Sequence, residues 1–287
     1  MFGQEGYIFP ADDGYVQNYQ RTNISEPLVE NLVTYASRTN DYAKENDCLF
    51  VLMICPNKSS VYDDYMPGTI YVDESRESTL DLVKRRLIEE GVSCVVPHEE
   101  FRLQKEKEQI YNIKYDCAHW NDLGAFYGLR MVDEIVHQTY ADIPVMQRND
   151  FELTWEEVES LEFYTTEAPI YDRLPKLQVI QSTTVATDSQ YRADVPMQPG
   201  NAIAYFYNEN AVNDRTILVL HDSFLDDRES WYTYRYREVY YGARVNYANM
   251  QAYIDLIRPD VVVFEVAERA FADDLHAYTE LGNMVYK

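Results

Sequence analysis

The chain has 287 residues, 46% of them apolar, enough to bury a sizeable core in one large α/β domain or two modest ones and to exclude global disorder. Asp and Glu number 49 against 25 Lys and Arg, a formal charge of −24. That balance argues against nucleic acid or an anionic membrane surface as the main partner, and leaves open a neutral or anionic sugar polymer held in a local cleft.

Residues Glu26 to Glu45 carry helical periodicity, with Leu28, Leu32, Tyr35 and Tyr42 on one face. Cys48 to Ile54 is a continuous apolar run suited to a central parallel strand, and it ends in the polar loop Pro56-Asn57-Lys58-Ser59-Ser60. Thr79 to Glu90 reads as a helix stopped by Gly91, and Val92 to Val96 as a second buried strand stopped by Pro97. Asn121 to Tyr140 is an amphipathic helix with Asn121 as its N-cap. The rhythm of a parallel α/β sheet breaks between about Pro144 and Asp214. Pro169, Pro175, Pro196, Pro199, a Ser/Thr-rich run and the alternating piece Ala202 to Phe206 predict a β-rich insertion or flap there. The strand Thr216 to Leu220 resumes the pattern. An aromatic segment from Trp231 to Tyr247, a helix from Ala248 to Ile257 and a strand from Val261 to Val266 follow. The fold expected is a doubly wound, mainly parallel α/β sheet, with residues 1–287 in one domain and the insertion at about 144–214.

Cys48, Cys55, Cys94 and Cys117 form no CxxC pair and no His falls at zinc-finger spacing, so no structural metal is expected, and the serine chemistry read below requires no cofactor. No apolar run is long enough to span a membrane, and Met1 to Gly6 has neither the basic start nor the apolar stretch of a signal peptide. Two readings stay open: a cytoplasmic protein, or the soluble piece of a longer, anchored chain. The 26 Tyr lift the aromatics to 14%, and a few of them on a cleft wall would suit sugar rings.

His221-Asp222-Ser223-Phe224 leaves the Thr216 strand on a turn at the carboxyl edge of the sheet, where open α/β folds place their ligands. Ser223 there is a candidate nucleophile if a base reaches it. Asp116-Cys117-Ala118-His119-Trp120 offers one: His119 as base and Asp116 as its orienter. Asn57 and Lys58 fall on the same edge, Asn57 as a candidate oxyanion donor. Asp222, Tyr234, Arg235 and Arg237 are further candidates for substrate contact, the last three along a sugar groove. His221 and Cys117 read as packing residues.

Five blocks in order resemble the alginate acetyltransferase-like branch of the SGNH hydrolases. Gly6-Tyr7-Ile8-Phe9 is similar to its opening GWLF. Pro56 to Tyr62 with Tyr65-Met66-Pro67 resembles its PNK…VYP…P loop. Tyr115 to Asn121 with Gly124-Ala125 resembles its Y…D-x-H-W…GA block, His221 to Phe224 its DSF block, and Pro259 to Val263 with Glu268-Arg269 its PDVVI…ER close. The resemblance implies an SGNH hydrolase-like fold in permuted order, with the Asp-His pair ahead of the serine. It implies a serine-dependent O-acetyltransferase or acetylesterase of an extracellular polysaccharide, acting at the cell surface or in the periplasm. A membrane-bound O-acyltransferase would supply the acetyl donor. Two departures stand out: Asp-x-x-His in place of Asp-x-His, and the bulky His221 before Asp222. They keep a rival reading in view, a non-catalytic carbohydrate-binding or scaffold component of a polysaccharide secretion complex.

Overall fold

The structure, a computed structural model, describes residues 1–162, 169–181, 195–196 and 202–270. Helices α1 (Asp13–Tyr19) and α2 (Glu26–Glu45) precede strand β1 (Leu49–Cys55). Then come α3 (Lys58–Val61), α4 (Thr79–Glu89), β2 (Cys94–Val95), α5 (His98–Gln104) and α6 (Asp122–Thr139). β3 (Phe151–Glu159) and β4 (Tyr171–Val179) pair only with each other, antiparallel. β5 (Ile203–Tyr207), β6 (Thr216–His221), α7 (Ser230–Thr233), β7 (Glu238–Ala243), α8 (Met250–Ile257) and β8 (Val261–Ala267) complete the order.

The main sheet runs β2-β1-β8-β6-β7-β5, parallel throughout except for β5, which lies antiparallel on β7. Both faces are covered, as continuous apolar strands require. Val51, Met53, Val219 and Val263 point to one face and pack with Phe126, Leu129 and Val132 of α6. Phe50, Leu52, Leu218 and Phe264 point to the other, with Leu28 and Leu32 of α2, Val83 of α4 and Ile254 of α8. Successive strand residues alternate between the two cores, as a period of two dictates.

Three differences from the sequence reading have physical causes. The strand expected over Val92–Val96 keeps only two paired residues, because β2 is an edge and Pro97 stops it. The Ala202–Phe206 piece belongs to the main sheet as its antiparallel edge and not to the insertion. The aromatic segment hides an inner strand, β7, whose Val239 and Tyr241 face one core and whose Tyr240 faces the other. Among the described residues the insertion is the β3–β4 hairpin; its Ser/Thr-rich run lies outside them.

The parallel pairing Cys55↔Ala267 and Leu220↔Phe264 brings the ends of β1, β8 and β6 to one edge. α6 starts at that edge, capped by the Asn121 side chain, which accepts from Leu123 N and Gly124 N at 3.0 and 3.2 Å. The buried carboxyl of Glu268 ties the ends of β8 and β1 together. It accepts from Asn57 N at 2.7 Å and from Ser60 Oγ at 2.7 Å. Burial pushes this carboxyl up to about 7, against the lowering effect of those two donors. The folded chain therefore holds the proton between about 4.5 and about 7, where the unfolded chain has released it. Stability contributed here is present at low pH and is lost as pH rises through that window, by roughly 3 kcal/mol at most. Glu268→Gln keeps the shape and removes the titration. Thermal unfolding across pH 4.5 to 7 should show the wild type losing stability relative to the variant; parallel curves would contradict the assignment.

Candidate active site

Ser223 sits on the turn immediately after β6. The turn is pinned by the Asp222 carboxylate, which accepts from Phe224 N at 2.9 Å and from Ala267 N at 2.8 Å. Asp222 N in turn donates to Glu265 Oε2 at 2.8 Å. Asp222 is thus a turn-former facing β8, not a substrate contact. Ser223 Oγ is 2.9 Å from His119 Nε2, and His119 Nδ1 is 3.2 Å from Asp116 Oδ1. A carboxylate at Nδ1 holds the proton there and leaves Nε2 to accept from the serine hydroxyl. Burial alone would raise the Asp116 carboxyl. Its bonds to the His119 ring and to the N–H groups of His119 and Ala118 outweigh that and hold it low, so it stays ionised. Asn112 Nδ2 donates to its second oxygen. The structure thus brings Ser223, His119 and Asp116 together, and the Asp-x-x-His spacing does not prevent it.

The loop that carries Asp116 is held from two sides by opposite charges. Lys58 is fully buried, and its Nζ donates to the carbonyls of Ile8, Ile113 and Asp116 at 2.8, 3.2 and 3.5 Å. Burial pulls its ammonium down to about 8, while the charge of Asp116 opposes the fall. Asp172, on the hairpin strand β4, accepts with one oxygen from Ile113 N, Lys114 N and Tyr115 N at 2.7, 2.7 and 2.9 Å. The hairpin is therefore bolted to the loop it adjoins.

The remaining expectations need correcting. Lys58 is a clamp without access to a substrate. Asn57 Nδ2 is buried with no partner, shut away from solvent and so from an oxyanion in the cleft. Tyr234, Arg235 and Arg237 do not line a groove beside Ser223. Tyr234 and Arg235 are buried, and Arg235 is paired with Asp133 within the fold. Arg237 pairs with Asp214 just before β7, whose start aligns with Thr216, the opposite end of β6 from Ser223. His221 lies against the Tyr241 ring, 4.2 Å between centroids, and its Nδ1 donates to the Asp222 carbonyl at 2.7 Å. The Cys117 thiol is pushed up to about 12 by burial and then by Glu162, so it is no rival nucleophile.

One site residue escapes sequence reasoning. Arg269 Nη2 donates to Ser223 Oγ at 2.9 Å and stands 3.5 Å from His119 Nε2. Its only sequence signal is its place in the Glu268-Arg269 block, because nothing in the spacing says that the end of β8 returns to Ser223.

The family model described as an SGNH hydrolase-like domain, acetyltransferase AlgX, matches residues 1–194. The chain belongs to this family. The match includes Asp116 and His119 and stops short of Ser223. No curated protein matches the chain by sequence. Solved structures share the fold. The O-acetyltransferase domain of Pseudomonas putida AlgJ is 14% identical, with 99% of this chain and 98% of that one covered at a TM-score of 0.61. A DHHW family protein from Eubacterium siraeum is 18% identical, with 98% and 92% covered at 0.62. Bacillus cereus PatB1 is 14% identical, with 93% and 94% covered at 0.59. The family is thus one of SGNH-like acetyltransferases, and the fold is theirs.

The hairpin's carboxylate gives the site a remote test. Asp172→Ala strands three backbone donors and frees the loop bearing Asp116, so activity should fall by roughly 10- to 100-fold, with the Asn variant restoring most of it. Equal activity in all three proteins would show that the loop holds its shape without Asp172.

Proposed function

We propose that the protein is a serine-dependent O-acetyltransferase or acetylesterase acting on a polysaccharide. The observation that carries this reading is the 2.9 Å contact of Ser223 Oγ with His119 Nε2, backed by Asp116 on the other nitrogen, in a member of an acetyltransferase family. Ser223 attacks the acetyl carbonyl carbon while His119 Nε2 takes the hydroxyl proton. The C=O electron pair moves onto oxygen. On collapse the bond to the leaving oxygen breaks, and that oxygen leaves with the proton from His119. A sugar hydroxyl or water then attacks the acetyl-serine, with His119 again as base. The first outcome is transfer and the second hydrolysis. Asp116 remains ionised throughout and holds the ring.

Acetyl transfer fits the likeness to the O-acetyltransferase domain of Pseudomonas putida AlgJ, and the acidic charge of the chain disfavours nucleic acid as the acceptor. Among the described residues no helix is long and apolar enough to cross a membrane. We place the domain outside the cytoplasmic membrane, taking acetyl groups from a donor delivered by a membrane-bound O-acyltransferase, with residues 1–287 acting as one unit.

Purified protein should release acetate from a small activated acetyl ester. Ser223→Ala and His119→Ala should each lower kcat by roughly 10⁴-fold or more, and Asp116→Ala by less, because the three act as a unit in which the carboxylate only orients and stabilises. Wild type and Ser223→Ala, both folded and equally inactive across several acyl donors, would favour a binding module, whereas equal activity in the two would remove Ser223 as the nucleophile.

A further inference from the structure

The turn after β6 has spent most of the donors that usually stabilise the tetrahedral oxygen in acyl transfer. Phe224 N is committed to Asp222 Oδ1 at 2.9 Å, and Leu225 N to the Asp222 carbonyl at 3.2 Å. Asn57 Nδ2 is closed off. Ser223 N donates to none of the described residues, and a single neutral donor is a thin oxyanion site. Arg269 stands in the gap. Its Nη2 is 2.9 Å from Ser223 Oγ, and its guanidinium carbon lies 5.2 Å from the Phe224 ring centre, so the head is held over that ring. Among the described residues it pairs with no carboxylate, in a chain with 49 acidic residues against 25 basic ones. With no carboxylate of the described residues on it and its donor on the attacking atom, the guanidinium brings positive charge to the reaction.

We propose that Arg269 is a catalytic residue that supplies the charged half of the oxyanion site on Ser223. The proposal rests on the reading of Ser223 as nucleophile. In the resting site the Ser223 oxygen gives its proton to the bond with His119 and accepts from Arg269, which leaves one lone pair for attack. When Oγ bonds to the acetyl carbon, the former carbonyl oxygen gains the electron pair two bonds away from Oγ. The guanidinium donor shifts from Oγ to that oxygen and meets full negative charge in place of a neutral hydroxyl. No proton leaves the arginine, which stays charged throughout. The pair returns to the carbonyl when the leaving oxygen departs. The interaction is stronger in the transition state than before it, which raises kcat and not merely affinity.

The experiment measures acetate release from a small acetyl ester by wild type, Arg269→Ala, Arg269→Met and Arg269→Lys, with thermal unfolding to confirm the fold. The expected result is a loss of roughly 10²- to 10³-fold in kcat for Ala and Met with KM little changed. Lys should recover part of the rate, and low millimolar guanidinium added to the Ala variant should recover part as well, which a packing role would not allow. Arg269→Met keeps the stem over Phe224 and carries the comparison if the Ala variant fails to fold. An Arg269 variant at or above the wild-type rate, with Ser223→Ala inactive, would overturn the arginine's role and leave the nucleophile standing. Activity retained in Ser223→Ala would overturn both.

Discussion

The geometry of the site depends on one bond that takes no part in the chemistry. The Trp120 indole N–H donates to the Phe224 carbonyl at 2.6 Å, in the interior, across 104 residues of sequence. His119 precedes the indole and Ser223 precedes the carbonyl, so this bond sets how far apart base and nucleophile can lie. A neutral serine–histidine contact contributes only about 1 kcal/mol by itself and would not align two segments of chain. The indole is held in turn by the rings of Phe224 and Phe101, with centroids at 5.3 and 5.9 Å. Gly128 of α6 makes room for it: a Cβ there would sit 3.1 Å from the indole ring and 2.6 Å from Met53 Cε.

Around that bond the protein uses buried charge where an apolar core would be cheaper. Lys58 and Asp172 are buried and Asp222 is partly buried, and each bonds mainly to backbone groups and not to an opposite charge. Desolvating such groups costs several kcal/mol each, so their combined effect on stability is small or unfavourable. What they do is fix backbone. Lys58 gathers carbonyls and Asp172 gathers N–H groups from the same loop, while Asp222 locks the turn of Ser223 onto β8. The β3–β4 hairpin, an insertion in a fold that closes without it, thereby becomes part of the support for Asp116.

The strands and helices that build the sheet were legible because their signals are local and strong. The run from Cys48 to Ile54 and the N-cap at Asn121 each lie within one residue of β1 and of the start of α6. β7 was hidden because its Tyr240-Tyr241 core looks like loop aromatics until both faces are known to be buried. Ser223, His119 and Asp116 were legible through their motifs. The sheet-edge position of Asn57, Lys58 and Asp222 points to the cleft only as far as the backbone goes, and does not say which way a side chain turns. Arg235 and Arg237 follow Ser223 closely in sequence, yet the chain has by then crossed the sheet to begin β7 at its other end. Arg269 needed the reverse inference, that two residues distant in sequence meet because β8 and β6 are neighbours in a parallel sheet.

The central claim is that acetyl groups pass through a covalent bond to the Ser223 oxygen. Rapid quenching of the protein with a small acetyl ester, followed by intact-mass and peptide mass spectrometry, addresses it directly. The account predicts one added acetyl group on the peptide containing Ser223, formed and lost at rates that match turnover, and absent from Ser223→Ala. Turnover without any acetylated peptide under the same quench, or acetyl found on another residue at a rate that accounts for turnover, would contradict it.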